Sequence, residues 1–216
     1  MKVLKFGGTS VADSRSIDKV ISILKSNHEP LFIVVSALSG ITNLLQKCLN
    51  KNGESASDII TEIEQRHLQV ITDMCDYNNQ TSLKKFLRDN LNELDDLLNL
   101  ISETGEVSNE KKSKVLTLGE ILSSNIIYEI LRQKGLDISH IDSRELIFTK
   151  DSNTNIQLDD EKTSDSIDKI VGSIKSKLII SPGYICSNQE GKTSNLGRGC
   201  SDYSAAIYAK YLNAKV

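Results

Sequence analysis

A lysine, two adjacent glycines and a pair of hydroxyls stand together in Lys5-Phe6-Gly7-Gly8-Thr9-Ser10, near the start of a 216-residue chain. A short apolar run leads into the glycines, and Ser10 or Asp13 can cap the periodic segment beyond, so the order reads strand, glycine turn, helix. That order suits phosphate. Glycines without a Cβ let the backbone approach a ligand, the first unpaired N–H groups of a following helix carry partial positive charge, and Lys5 adds a full one. The run matches neither G-x-x-x-x-G-K-[ST] nor G-x-G-x-x-G, which sets aside the usual P-loop and a Rossmann dinucleotide site. It also fits a plain strand-to-helix turn with an exposed lysine.

Three further clusters carry polar groups where chemistry is possible. Ser36-Ala37-Leu38-Ser39-Gly40-Ile41-Thr42-Asn43 follows an apolar run, and ligands in open α/β sheets gather at the carboxyl ends of strands. The hydroxyls of Ser36, Ser39 and Thr42 therefore suit a substrate, or else serve turn and cap chemistry. Glu120 follows Gly119 in an apolar, small-residue run and has two readings: a first-turn acid favoured by the helix dipole, or a ligand for a cation. In Leu196-Gly197-Arg198-Gly199-Cys200-Ser201-Asp202-Tyr203 the glycines leave the Arg198 guanidinium little steric cover. A guanidinium at a helix N-terminus can clamp a carboxylate through two parallel hydrogen bonds. A structural loop capped by Ser201 or Asp202, or a buried salt bridge, explains the same residues.

These groups need a frame. Ile17, Val20, Ile21 and Leu24 fall at helical spacing between Asp13 and Asn27, and Leu31-Phe32-Ile33-Val34-Val35 reads as a strand buried on both faces, so the opening unit is strand, helix, strand. Lys51 to Ser57 reads as a loop. Ile59 to Ile71 and Leu83 to Ile101 predict two helices folded back at a Tyr77–Thr81 break, a helical hairpin whose charges, Asp95 and Asp96 among them, face solvent. A third helix is predicted from Lys114 to Lys134. Short strands follow at Ile138 to Ile141 and Ile147 to Thr149, then a turn at Ser152 to Asn155 and a helix through Ile167, Ile170, Val171 and Ile174. Leu178 to Ile185 is a strand broken by Pro182-Gly183, Asn188 to Gly191 closes a hairpin, and the last helix presents Ala206, Ile207, Ala209 and Leu212.

Composition narrows the class. A chain 38% hydrophobic and 25% charged is ordinary for a globular protein, and a net charge of −3 with mixed signs leaves no basic footprint for nucleic acid. No apolar run approaches the ~20 residues of a membrane span and no signal-peptide core is seen, so a cytoplasmic protein is expected. Cys48, Cys75, Cys186 and Cys200 lack C-x-x-C pairing, which argues for reduced thiols rather than a zinc site or disulfide framework. His28, His67 and His140 are isolated and read as solvated or incidental.

Taken in order over nearly the whole chain, Lys5 to Val11, Ser36 to Asn43, Gly119-Glu120 and Leu196 to Tyr203 resemble the catalytic domain of aspartate kinases, within the amino acid kinase family. The resemblance implies an α/β fold: a three-layer αβα sandwich with a mostly parallel sheet, carrying the helical hairpin as an insert at about 56–112. It implies ATP-dependent phosphorylation, with Mg2+, of the β-carboxylate of L-aspartate to 4-phospho-L-aspartate, the entry to lysine, threonine, methionine and diaminopimelate synthesis. Lys5, Arg198 and Asp202 match the catalytic set, with Asp202 positioning the lysine. Ser39, Thr42, Glu120, Arg198 and Ser201 match the aspartate site, Glu120 meeting the ammonium and Arg198 a carboxylate. Lys5, Gly7, Gly8, Thr9 and Ser10 match the ATP phosphate site, and no protein side chain in this stretch is expected to bind metal. An acceptor carboxylate is already ionised near neutral pH, so no general base is needed. Cys200 departs from the family's glycine. Family members continue with a nucleotide-binding segment and ACT regulatory domains, so the chain is expected to be the N-terminal portion of a homo-oligomeric enzyme, with little activity alone. Acetylglutamate, glutamate or UMP kinases, and a non-catalytic assembly module, are the alternatives.

Overall fold

The computed structural model describes residues 1–50, 55–150, 157–197 and 201–215. Its first half runs β1 (Lys2–Phe6), a 3-10 turn at Gly8–Val11, α1 (Ser14–Ser26), β2 (Leu31–Val35), α2 (Ile41–Asn50), α3 (Ala56–Met74), α4 (Tyr77–Thr104) and α5 (Asn109–Gln133). Then come β3 (Ile138–His140), β4 (Thr149–Lys150), β5 (Gln157–Leu158), α6 (Asp160–Ser173), β6 (Leu178–Pro182), β7 (Ile185–Ser187), β8 (Thr193–Asn195) and α7 (Ser201–Tyr211).

Four strands form one parallel sheet in the order β1-β2-β6-β3. The two short pairs, β4 with β5 and β7 with β8, are antiparallel. Alternation along the sheet sorts its side chains between two cores, as period-2 geometry requires. Leu31, Ile33, Val35, Leu178 and Ile180 enter a core shared with the first five helices, while Phe32, Val34 and Ile179 enter one shared with α6 and α7. The result is a three-layer αβα sandwich. All five residues of β2 are buried, which explains its unbroken apolar run.

Several boundaries differ from those read in the sequence, for local reasons. Asp13 caps α1 by accepting from the Ser16 N–H at 2.8 Å, but a 3-10 turn that begins at Gly8 comes between Gly7 and that helix. The fold-back falls at Cys75-Asp76 rather than Tyr77–Thr81. Asp76 accepts from the Asn79 N–H at 3.1 Å and starts α4 at once, and α4 stops at Gly105 in a left-handed conformation. Likewise Ser108 caps α5 through the Lys111 N–H at 3.2 Å, so α5 begins at Asn109 and not Lys114. The weak strand expected at Ile147 to Thr149 is the two-residue β4, at Thr149–Lys150. On α7 the buried face is Ser201, Ser204, Ile207 and Tyr208, while Ala206 is exposed.

The histidines divide. His28 is exposed, whereas His67 is fully buried on the inner stripe of α3, with Nδ1–H donating to the Ile63 carbonyl at 2.7 Å. Burial pushes its pKa down to about 4, so the ring is neutral and not solvated. His140 is largely covered, bonded through Nε2 to the Ser124 hydroxyl at 3.1 Å, and burial lowers its pKa as well. The turn expected at Ser152 to Asn155 and residues 51–54 of the expected loop lie outside the described residues, as do Arg198, Gly199 and Cys200.

Candidate active site

The carboxyl ends of β1, β2 and β6 open onto one cavity of about 620 Å³, completed by the middle of α5 and the start of α7. Met1 and Val3 pack toward the α6–α7 core, so Lys5 shares that face of β1 and reaches the N-terminus of α7. Its Nζ lies 2.9 Å from Asp202 Oδ1. A Cβ on Gly7 would stand 3.3 Å from the same Nζ, which places the amine over the glycine turn. Asp202 is largely exposed, its side chain 77% accessible, so the pair is an open one that a ligand anion can compete for.

Gly7, Gly8 and Thr9 line the cavity beside Lys5, and Ser10 lies outside the lining. The N–H groups here belong to a single 3-10 turn, with the Ser10 N–H already given to the Gly7 carbonyl at 2.8 Å. Asp13 occupies the amide end of α1 one turn further on, so the positive charge at the glycines comes chiefly from Lys5. Gly8 is also where two loops meet: a Cβ there would lie 3.0 Å from the Ala37 carbonyl oxygen.

Ser36, Ser39, Gly40 and Thr42 line the opposite wall. Glu120 closes its floor. Because α5 begins at Asn109, Glu120 sits in mid-helix, and the first-turn dipole reading is set aside. It is 4% exposed; its carboxylate accepts from the Ala37 N–H, and Oε2 has no partner among the described residues. Burial raises its pKa to about 8. Gly119 permits this approach: a Cβ there would fall 2.7 Å from Ala37 Cβ and 3.1 Å from Ile41 Cγ2. One turn along, the Ser123 hydroxyl donates to the Ser36 carbonyl at 2.7 Å and ties α5 to the same loop.

Ser201 is buried against the turn after β6, where a Gly183 Cβ would stand 2.8 Å from Ser201 Cβ. Next to it Tyr184 takes φ 70°, a strained value for a bulky residue, and its N–H donates to Ser204 Oγ at 2.8 Å. The fold thus brings together Lys5, Gly7, Gly8, Thr9, Ser39, Thr42, Glu120, Ser201 and Asp202.

Sequence reasoning did not assign Asn43, Gln46 and Tyr184 to the cavity they line. Gln46 stands four residues after Thr42 on α2, a spacing that was visible. The positive φ of Tyr184 had no signal. A second cavity of about 410 Å³ lies on the other flank of α5, but its cations are already paired: Lys114 with Glu110 at 2.9 Å and Arg144 with Asp142. Among the described residues no cluster of three acidic, histidine or cysteine side chains could hold a metal, and no helix is long and apolar enough to cross a membrane.

The chain matches the family model described as the amino acid kinase family over residues 1–216. It is 28% identical over 218 residues to the bifunctional aspartokinase/homoserine dehydrogenase 2 of Arabidopsis thaliana, covering 99% of this chain and 24% of that protein. To the aspartokinase of Chlamydia pneumoniae it is 28% identical over 217 residues, with 98% and 45% covered. Aspartokinase III of Escherichia coli, solved with lysine and aspartate, superposes with a TM-score of 0.90 at 27% identity, covering 99% of this chain and 47% of that one. The same enzyme solved with aspartate and ADP gives 0.87 at 26%, with 99% and 47% covered. The chain therefore spans a quarter to a half of the length of these relatives.

Proposed function

The chain belongs to the amino acid kinase family, and on that premise we propose that it forms the acceptor and phosphate-facing part of an enzyme that transfers the γ-phosphoryl group of ATP to the β-carboxylate of L-aspartate. The observation that carries this is the arrangement around one cavity: a buried, unpartnered carboxylate oxygen on Glu120 at the floor, and the Lys5 amine over a glycine turn at the rim. An ammonium fits the first and a phosphate the second.

In this reading Glu120 takes the α-ammonium of aspartate, with Ser39, Thr42 and Ser201 on the surrounding wall. The β-carboxylate, ionised at neutral pH, attacks the γ-phosphorus; the new O–P bond forms as the bond to the β,γ-bridging oxygen breaks, and ADP leaves. Lys5, released from Asp202 or sharing it, neutralises charge on the transferred group, while Gly7 and Gly8 keep side chains out of the way. Arg198 is read as the partner of an aspartate carboxylate. When bound with ATP, Mg2+ would supply further neutralisation of the phosphate charge. Residues 1–216 are read as the N-terminal portion of the catalytic domain, acting in the cytoplasm within a larger homo-oligomer and feeding aspartate-derived amino acid synthesis.

The buried Glu120 also distinguishes acceptors. N-acetylglutamate and UMP carry no ammonium to meet it, whereas aspartate and glutamate do. Calorimetric titration with L-aspartate, L-glutamate, N-acetylglutamate, UMP and a nonhydrolysable ATP analogue tests the assignment. Binding of aspartate and the nucleotide analogue is expected; a chain that binds neither is an assembly module, and one that prefers N-acetylglutamate or UMP refutes the acceptor.

A further inference from the structure

Helix α3 supplies nothing to the lining of the cavity, yet one of its side chains grips the wall from behind. Arg66 Nη1 donates to the Ser39 carbonyl at 3.0 Å, across 27 residues of sequence, while Nη2 is held by Glu62 Oε1 at 2.5 Å one turn earlier on the same helix. The carbonyl it selects is the one at the centre of a tight turn. The Ile41 N–H donates to the Leu38 carbonyl at 3.0 Å, and Gly40 has φ +82°, so Leu38–Ile41 is a β-turn with a left-handed third residue, as in type II.

The orientation of the central peptide, Ser39–Gly40, is what separates type II from type I. A trans peptide points its C=O and N–H in opposite directions, so a donor that fixes the Ser39 carbonyl toward α3 fixes the Gly40 N–H away from it. Both residues line the cavity, and the Gly40 N–H donates to no group among the described residues. Gly40 is needed on two counts: its φ, and the 3.0 Å that a Cβ there would leave to Arg66 Nη1. The same helix is also tied to the start of α1, outside the cavity, where Asp73 Oδ2 accepts from the Ser14 hydroxyl at 3.2 Å.

We propose that Arg66 is a positioning residue for the acceptor wall: by holding the Ser39 carbonyl it sets the Ser39–Gly40 peptide so that the Gly40 N–H and the Ser39 side face the ligand. The inference rests on the acceptor reading above only for what is bound; the peptide orientation it describes exists without ligand. Arg66 acts through a backbone group and touches no reacting atom.

The test compares the wild-type chain with Arg66→Ala and Arg66→Lys. Lysine can still offer one N–H to a carbonyl, so it is expected to behave within about twofold of wild type. In Arg66→Ala, amide exchange at residues 38–41 should accelerate roughly three- to tenfold with β2 and α5 unchanged, as loss of one hydrogen bond implies. L-Aspartate affinity should fall by the same factor, with that for a nonhydrolysable ATP analogue unaltered. Unchanged exchange at 38–41 in Arg66→Ala overturns the inference whatever binds. If wild type does not bind L-aspartate, the acceptor reading fails and exchange alone decides. A uniform rise in exchange across the chain, not rescued by lysine, makes Arg66 merely structural and also overturns it.

Discussion

At the carboxyl edge of the sheet, segments meet through glycines: Gly8 lies against the Ala37 carbonyl, Gly119 against Ala37 and Ile41, and Gly183 against Ser201. In the α3–α4 hairpin they meet through large side chains at helical spacing, Ile59, Ile63, Val70 and Ile71 against Leu83, Leu87, Leu91 and Leu94. The first kind of contact fixes where polar groups stand to a fraction of an ångström. The second fixes how much apolar surface is hidden, each fully buried aliphatic side chain contributing roughly 1.5–3 kcal/mol. Loss of function at the edge should therefore leave stability intact, and loss of stability in the hairpin should leave binding intact.

Replacing Lys5 by alanine is the severest test of the first half. In the complete enzyme, turnover of aspartate and ATP should drop by about 10²–10³-fold or more with Tm unchanged, because the charge that meets the transferred phosphate is gone while no core contact is lost. Near-normal turnover breaks the comparison. The second half is tested by Leu87→Ala, a fully buried hairpin position, where urea unfolding should report a loss of about 2–5 kcal/mol. Aspartate affinity measured well below the unfolding transition should not move. A large change in affinity there would mean that the hairpin shapes the site by more than the Arg66 contact.

The smallest of these effects is read against pH. Glu120 has a pKa raised from 4.5 to about 8, so the folded protein holds a proton that the unfolded chain has released, and its contribution to stability falls as pH rises from about 4.5 through 8. An ammonium ligand needs the ionised form. Aspartate affinity should therefore climb by up to about tenfold per pH unit between 6 and 8, flatten above, and release a proton on binding near pH 7. Calorimetry in buffers of different ionisation enthalpy measures that proton, and Glu120→Gln should abolish it.

Legibility followed the same division. The layered core was readable because β2 is one unbroken apolar run and α1 repeats at helical spacing, signals that depend only on near neighbours. The glycine turn, the Ser36 to Thr42 loop and the start of α7 were readable by residue type, and the fold gathers them. The early start of α5 was hidden because its first turn, Asn109 to Lys112, is polar, leaving only the Ser108 cap as a marker. That offset moved Glu120 from a helix end to a helix centre. His67 was misjudged by type although its spacing with Ile59, Ile63 and Ile71 lay on the inner stripe. The buried face of α7 escaped because Ser201 and Ser204 look polar to any hydropathy reading. Arg66 could not be found at all, since its partner is a carbonyl, and every residue has one.

The bare Cα of Gly119 has a mechanical corollary. A helix advances about 1.5 Å and turns about 100° per residue, so α5 could screw forward or back by one residue only by delivering Leu118 or Glu120 into a gap that admits no side chain. The notch works as a keyway: that screw motion is blocked, and the depth at which the carboxylate sits is decided by an atom that is missing.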